Sequence, residues 1–164
     1  MFSDAARAGL VSVGSDVVDL GVVPTPTVLL AVKDAGAAGA LVVTASHNPA
    51  EWNALKFVGP NGAFLDADRM ARFQRFLSEE VVLRSEWNQL GSVRRDPGAI
   101  QRHIRRILEL PLLEVDRIRE RGFRVALDCV RGAGGLMVPQ LLEALGCTVS
   151  GMDLTPDGYF PRDP

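Results

Sequence analysis

The sequence is poor in the residues that usually cross-link or metallate small proteins. Its 164 residues include two cysteines, Cys129 and Cys147, and two histidines, His47 and His103. With no C-x-x-C pair and no histidine cluster, a zinc finger or ribbon is excluded. Two cysteines in apolar, strand-like stretches, without a secretion signal, read as buried free thiols in a reducing cytoplasm. No apolar run approaches the roughly 20 residues that span a bilayer. The first residues also lack a basic stretch followed by an apolar core and a cleavage site. The expected location is therefore cytoplasmic, with no membrane partner. A formal net charge of -2 gives no electrostatic case for nucleic acid. Lysine is scarce too, Lys33 and Lys56 being the only two, so arginine supplies nearly all the positive charge.

What is present is an ordinary globular composition, 47% apolar and 23% charged, long enough for one domain with a core or for one domain and part of another. Asp4 to Val13 has helical spacing, and Val17 to Leu20 reads as a strand. Thr25 to Ala35 reads as a helix with Pro26 in its first turn, where a missing N–H does no harm. Ala40 to Thr44 is a strand, and so is Leu55 to Val58. Pro60-Asn61-Gly62 then turns into a short return over Ala63 to Leu65. A helix follows to about Ser78, capped by Asp66 or Asp68. Its Met70, Phe73 and Leu77 share one face, and Arg69, Arg72 and Arg75 face solvent. Gly91 to Gly98 reads as a polar connector. Ala99 to Leu108 and Leu113 to Arg121 read as helices. The first is amphipathic, with Arg102, Arg105 and Arg106 on a basic outer face and His103 as a surface residue. Phe123 to Cys129, Gly134 to Leu145 and Cys147 to Met152 form a strand–helix–strand unit. The spacing of Gly132, Gly134 and Gly135 does not meet the dinucleotide fingerprint. Alternation of helix and strand predicts an α/β protein, with a mixed, largely parallel sheet flanked by helices and an incomplete second α/β unit behind it.

The segment with most chemistry is Thr44-Ala45-Ser46-His47-Asn48-Pro49, which follows the apolar run Leu41-Val42-Val43. Proline fixes its own φ and pushes Asn48 toward an extended shape, so the strand ends in a tight polar loop that presents a serine. Taken alone, these residues leave two accounts open. In one, Ser46 is a nucleophile or phosphoryl carrier with His47 and Asn48 beside it. In the other, serine and asparagine merely bond their own backbone at a strand end. A serine-hydrolase triad is disfavoured because the G-x-S-x-G elbow is missing and adjacent Ser and His rarely face each other.

Thr44 to Pro49 resembles the active-site serine motif of the α-D-phosphohexomutases, a family that includes phosphoglucomutases, phosphomannomutases and phosphoglucosamine mutases. The likeness extends along the chain. Asp19 to Thr27 is similar to the stretch that precedes the motif in that family. Asn53 and Lys56 match its Asn-Gly-x-Lys element, with Ala54 in place of the usual glycine. Val125 to Asp128 with Gly132 to Gly135 resembles the opening of the second domain, and Asp157-Gly158 with Phe160-Pro161 the segment after it.

The resemblance implies that residues 1–97 correspond to the first domain without its N-terminal strands, and 98–164 to the N-terminal part of the second. It implies interconversion of hexose 1-phosphate and hexose 6-phosphate, through a phosphoserine at Ser46 and a hexose bisphosphate intermediate. His47 and Lys56 are the implied catalytic partners, and Asn48 and Asn53 the implied substrate-binding residues. Mg2+ is the implied cofactor, bound through the phosphate on Ser46 and an Asp-Gly-Asp-Gly-Asp-Arg loop. No such loop occurs in this sequence. The expectation is a piece of a mutase that is inactive alone and prone to self-association through unpaired sheet edges. The alternative is a non-catalytic module that binds sugar phosphates or regulates.

Overall fold

The computed structural model describes residues 1–46, 48, 49, 51–79 and 83–162. It opens with helix α1 (Phe2–Ser12), strand β1 (Val17–Asp19) and helix α2 (Thr25–Ala35). Strands β2 (Ala40–Thr44) and β3 (Ala54–Val58) follow, then helix α3 (Ala67–Ser78) and strand β4 (Val93–Arg95). Helices α4 (Ala99–Leu108) and α5 (Val115–Arg121) lead to strand β5 (Arg124–Asp128), a 3-10 turn over Ala133–Leu136, helix α6 (Val138–Ala144) and strand β6 (Thr148–Met152). Among the described residues the strands hydrogen-bond in three pairs. β1 with β4 and β5 with β6 are parallel, while β2 with β3 is antiparallel. This is the mixed α/β arrangement expected from the alternation of elements. Among the described residues no helix is long and apolar enough to cross a membrane.

The polar connector expected over Gly91 to Gly98 contains a strand. β4 lies beside β1, with Val17 opposite Val93 and Asp19 opposite Arg95. Side chains reinforce the junction: the Asp16 carboxylate accepts from the Ser92 amide at 2.9 Å and from its hydroxyl at 2.7 Å. These donors hold the Asp16 carboxyl below the usual carboxylate range. Gly91 permits the approach, because a Cβ there would lie 2.0 Å from the Ser15 carbonyl oxygen. Gly135 plays the same part in the β5–α6 turn, where a Cβ would fall 1.7 Å from the Leu154 oxygen. The helix expected from Gly134 to Leu145 is divided in two. Pro139 has no N–H to give the Gly135 carbonyl, so the helical ladder is interrupted there and α6 starts at Val138 with Pro139 in its first turn.

Helix α3 starts on the Asp66 carboxylate, which accepts from the Arg69 amide at 2.8 Å. Phe73 packs on Phe57 of β3, their ring centroids 4.5 Å apart. Met70 and Phe73 are half-buried, but Leu77 is exposed and does not complete the apolar face. Arg69, Arg72 and Arg75 are exposed, as expected.

The best-buried part of the protein lies where α2 packs on α4. Val28 and Val32 of α2, Ala99 and Ile104 of α4, and Met137 are buried. Thr27 is 1% exposed; its hydroxyl lies 2.8 Å from His103 Nδ1 and donates to Met137 Sδ at 3.7 Å. His103 is therefore not the surface residue expected of it. It is half-buried against α2, and burial, aided by the Arg106 charge, holds its pKa below the ordinary histidine value. Of the basic outer face, Arg105 and Arg106 are exposed as expected, while Arg102 is half-buried. Arg106 pairs with Asp34, and Arg102 pairs with Asp96 and approaches Asp34 at 4.0 Å. Two acidic groups, one remote in sequence from the arginines of α4 and one just ahead of them, thus pair with part of that face.

Candidate functional site

β2 and β3 form an antiparallel ladder with Thr44 opposite Ala54 and Val42 opposite Lys56. Side chains alternate across a sheet, so Val42, Thr44, Ala54 and Lys56 share one face. Residues 45–53 join the two strands. Within that connection the Asn48 amide and its Nδ2 both donate to the Ala45 carbonyl at 3.1 Å, and the Trp52 amide donates to Pro49 at 3.0 Å. The loop is thus tied to itself and carries Ser46 at its start.

Ser46 is exposed and has φ +60°, the left-handed region that a residue with a Cβ enters at a cost of about 1–2 kcal/mol. Its amide donates to Thr44 Oγ1 at 2.9 Å. Lys56 extends from β3 and places Nζ 3.5 Å from Ser46 Oγ. The same ammonium lies 5.8 Å from the centroid of the Phe64 ring, close enough for a cation–π attraction. Phe64 reaches this face through its bridge to Val58. An open apolar recess lined by Leu55, Phe57, Phe64, Leu65 and Met70 adjoins Lys56. The arrangement is an accessible hydroxyl on a constrained backbone with a cation at its side. That arrangement suits a group that becomes anionic.

Of the residues singled out in the sequence, Ser46 and Lys56 come together here, while Asn48 bonds the Ala45 carbonyl within the same loop. Asn53 is exposed at its far end, just ahead of β3. His47 lies outside the described residues. Thr44 and Phe64 were not anticipated. The Ser/Thr habit of bonding the amide two residues on is the signal that marks Thr44. Nothing local marks Phe64. Among the described residues no group of three His, Cys, Asp or Glu side chains could hold a metal ion. Among the described residues, Thr44 brings a hydroxyl to Ser46 and Lys56 an ammonium. A hard divalent cation prefers carboxylate oxygens, so this stretch alone does not fit one.

A second polar cluster lies at the C-terminal ends of β5 and β6. Arg131 bridges Asp153 at 3.0 Å and Asp157 at 3.2 Å, while Arg162 pairs with Asp128 and Asp153. Positive and negative groups neutralise each other there, and the cluster acts as a clasp on the chain after β6. Cys129 and Cys147 are both free. Burial pushes the Cys129 thiol up, with the Asp128 charge adding to it, which makes it a poor nucleophile.

Two family models match the chain. "Phosphoglucomutase/phosphomannomutase, alpha/beta/alpha domain I" covers residues 1–80, and the corresponding domain II covers residues 101–164. A "Phosphoglucomutase/phosphomannomutase" of Thermococcus kodakarensis is 39% identical across 100% of this chain, which covers 36% of that relative. A protein named "Probable phosphoglucosamine mutase" from Methanococcoides burtonii is 36% identical, again over 100% of this chain and 36% of the relative. The chain thus spans about a third of the length of these curated relatives. Among solved structures, a phosphoglucomutase/phosphomannomutase family protein from Burkholderia thailandensis superposes with a TM-score of 0.75 at 26% identity, over 98% of this chain and 34% of that one. With both family models matching in order along it, the chain belongs to the phosphoglucomutase/phosphomannomutase family.

Proposed function

We propose that this chain carries the phosphoserine end of a hexose-phosphate mutase, in which Ser46 shuttles a phosphoryl group between the 1- and 6-positions of a hexose. The observation that carries this reading is the exposed Ser46 hydroxyl with Lys56 Nζ 3.5 Å away. Transfer from a hexose bisphosphate forms the Ser46 Oγ–phosphorus bond and breaks the phosphorus–oxygen bond to the sugar. The serine proton ends on the released sugar hydroxyl. The reverse transfer, from the phosphoserine to the free hydroxyl of a hexose monophosphate that carries its phosphate at the other position, regenerates the bisphosphate and the serine hydroxyl and completes the exchange. Such steps depend on positioning and charge stabilisation more than on covalent chemistry.

A phosphoserine carries a charge of roughly -1.5 to -2, and the Lys56 ammonium is placed to attract it. A flexible lysine also suits proton exchange with a sugar hydroxyl. His47 belongs to this scheme by its place in the motif. Asn48, within the loop, and Asn53, at its far end, are the side chains we assign to substrate hydroxyls. We take residues 1–97 and 98–164 as the two units of the enzyme, meeting where α2 packs on α4. The two free thiols accord with a reducing, cytoplasmic setting. Mg2+ in the full reaction would need carboxylates that these residues do not bring to Ser46, so we expect no turnover from this chain alone.

The test is to incubate the chain with magnesium and glucose 1-phosphate, mannose 1-phosphate or glucosamine 6-phosphate. No mutase activity is expected. Separately, incubation with glucose 1,6-bisphosphate should place one phosphoryl group on Ser46. Robust turnover would show that the catalytic apparatus has been misassigned. A bound bisphosphate with no transfer to Ser46 would favour a binding or regulatory module instead.

A further inference from the structure

A serine with φ +60° at the reacting position needs something to hold it there. We propose that Thr44 is a positioning residue for Ser46: its Oγ1 pins the Ser46 amide and so keeps the serine in the left-handed conformation that turns its hydroxyl toward Lys56. The consequence for phosphoryl transfer rests on the phosphoserine reading above, whereas the conformational claim stands without it.

Thr44 is suited to the task by its place. It is the last residue of β2, and its backbone is fixed opposite Ala54. Branching at Cβ leaves the threonine side chain few rotamers, so Oγ1 is held rather than mobile. The contact to the Ser46 amide is 2.9 Å, a normal hydrogen-bond length. On the other side, Lys56 projects from the facing strand two residues beyond Ala54 and ends 3.5 Å from Ser46 Oγ. β2 and β3 thus hold the serine between them, one through its amide and the other through its hydroxyl. With no acceptor at Oγ1, Ser46 loses this restraint and its φ shifts toward the ordinary right-handed region, near about -60°. That rotation carries Cβ away from the ammonium. Thr44 need not touch substrate; it acts through Ser46.

Three chains test this: the unaltered protein, Thr44→Val and Thr44→Ser. Valine keeps the shape and strand preference and removes the acceptor; serine keeps the acceptor. The conformation is read from the amide–Hα coupling and the Cα and Cβ shifts of Ser46 by NMR. Left-handed values are expected for the unaltered chain and Thr44→Ser, and averaged or right-handed values for Thr44→Val. Phosphorylation of Ser46 by glucose 1,6-bisphosphate should slow about tenfold in Thr44→Val, the effect of losing one such hydrogen bond, and recover in Thr44→Ser. Melting temperatures within a few degrees would separate this from a folding defect, and Thr44→Ala replaces the valine variant if that one fails to fold. Left-handed Ser46 in Thr44→Val, or equal impairment in Thr44→Ser, would overturn the proposal. Failure of the unaltered chain to accept phosphate would instead sink the carrier role and leave the NMR comparison to decide on Thr44.

Discussion

Replacing Thr27 by valine probes the contact that fastens α2 to α4. The side chain is 1% exposed, and its oxygen meets His103 Nδ1 at 2.8 Å and Met137 Sδ at 3.7 Å. Valine fills the same space, so packing changes little and the loss is polar. It leaves a half-buried imidazole nitrogen without its partner, at a cost of about 1–3 kcal/mol. For a chain of this length that corresponds to a melting temperature lower by roughly 2–12 °C. Histidine adds a pH signature. Burial and the Arg106 charge depress the pKa of His103 in the folded protein. The unfolded chain therefore binds the proton more readily, and stability rises with pH between the folded value and about 6.5, the ordinary histidine value. Above that pH the contribution is fully present; as pH falls through the folded pKa it is lost. Chemical denaturation across pH 5 to 8 measures both effects. His103→Gln should flatten the slope. An unchanged melting temperature in Thr27→Val, together with a slope that survives His103→Gln, would refute the reasoning.

Lys56→Met removes the ammonium beside Ser46 and keeps most of the alkyl chain. A charge pair at about 4 Å is worth ~4 kcal/mol per unit charge at an effective dielectric of 20, and exposure cuts this to about 1–2 kcal/mol. Phosphorylation of Ser46 by a hexose bisphosphate should slow about tenfold, and an unchanged rate would remove Lys56 from the site. Gly91→Ala forces a methyl to within 2.0 Å of the Ser15 oxygen, so the β1–β4 pair must part. We expect a loss of at least about 2 kcal/mol and faster hydrogen exchange at the Val17 amide, which donates to Ser92. Protection retained there would show that the backbone accommodates the methyl.

Much of this fold could be read from local pattern. Ala40–Thr44, Thr25–Ala35 and Ala99–Leu108 occupy the residues that periodicity, Pro26 and the flanking glycines assign to them. The failures share a cause. β4 is Val-Arg-Arg, exposed throughout, and its partner β1 lies far back in the chain, so only a long-range backbone ladder identifies it as a strand. His103 and Arg106 sit on what a helical projection makes an outer face. Thr27 covers His103 and Asp34 pairs with Arg106, which stays exposed, and both partners belong to a different helix. Ser46 and Lys56 were legible because the motif names them. The parts played by Thr44, although it opens the motif, and by Phe64 were not, since they depend on a backbone angle and on a hairpin that folds back to Lys56.

The central claim is that Ser46 carries phosphate, and intact-mass analysis with peptide mapping after incubation with glucose 1,6-bisphosphate tests it most directly. A single phosphoryl group located at Ser46, and absent from Ser46→Ala, is the predicted result. An unmodified chain, or a phosphoryl group on another residue that persists in Ser46→Ala, would contradict it.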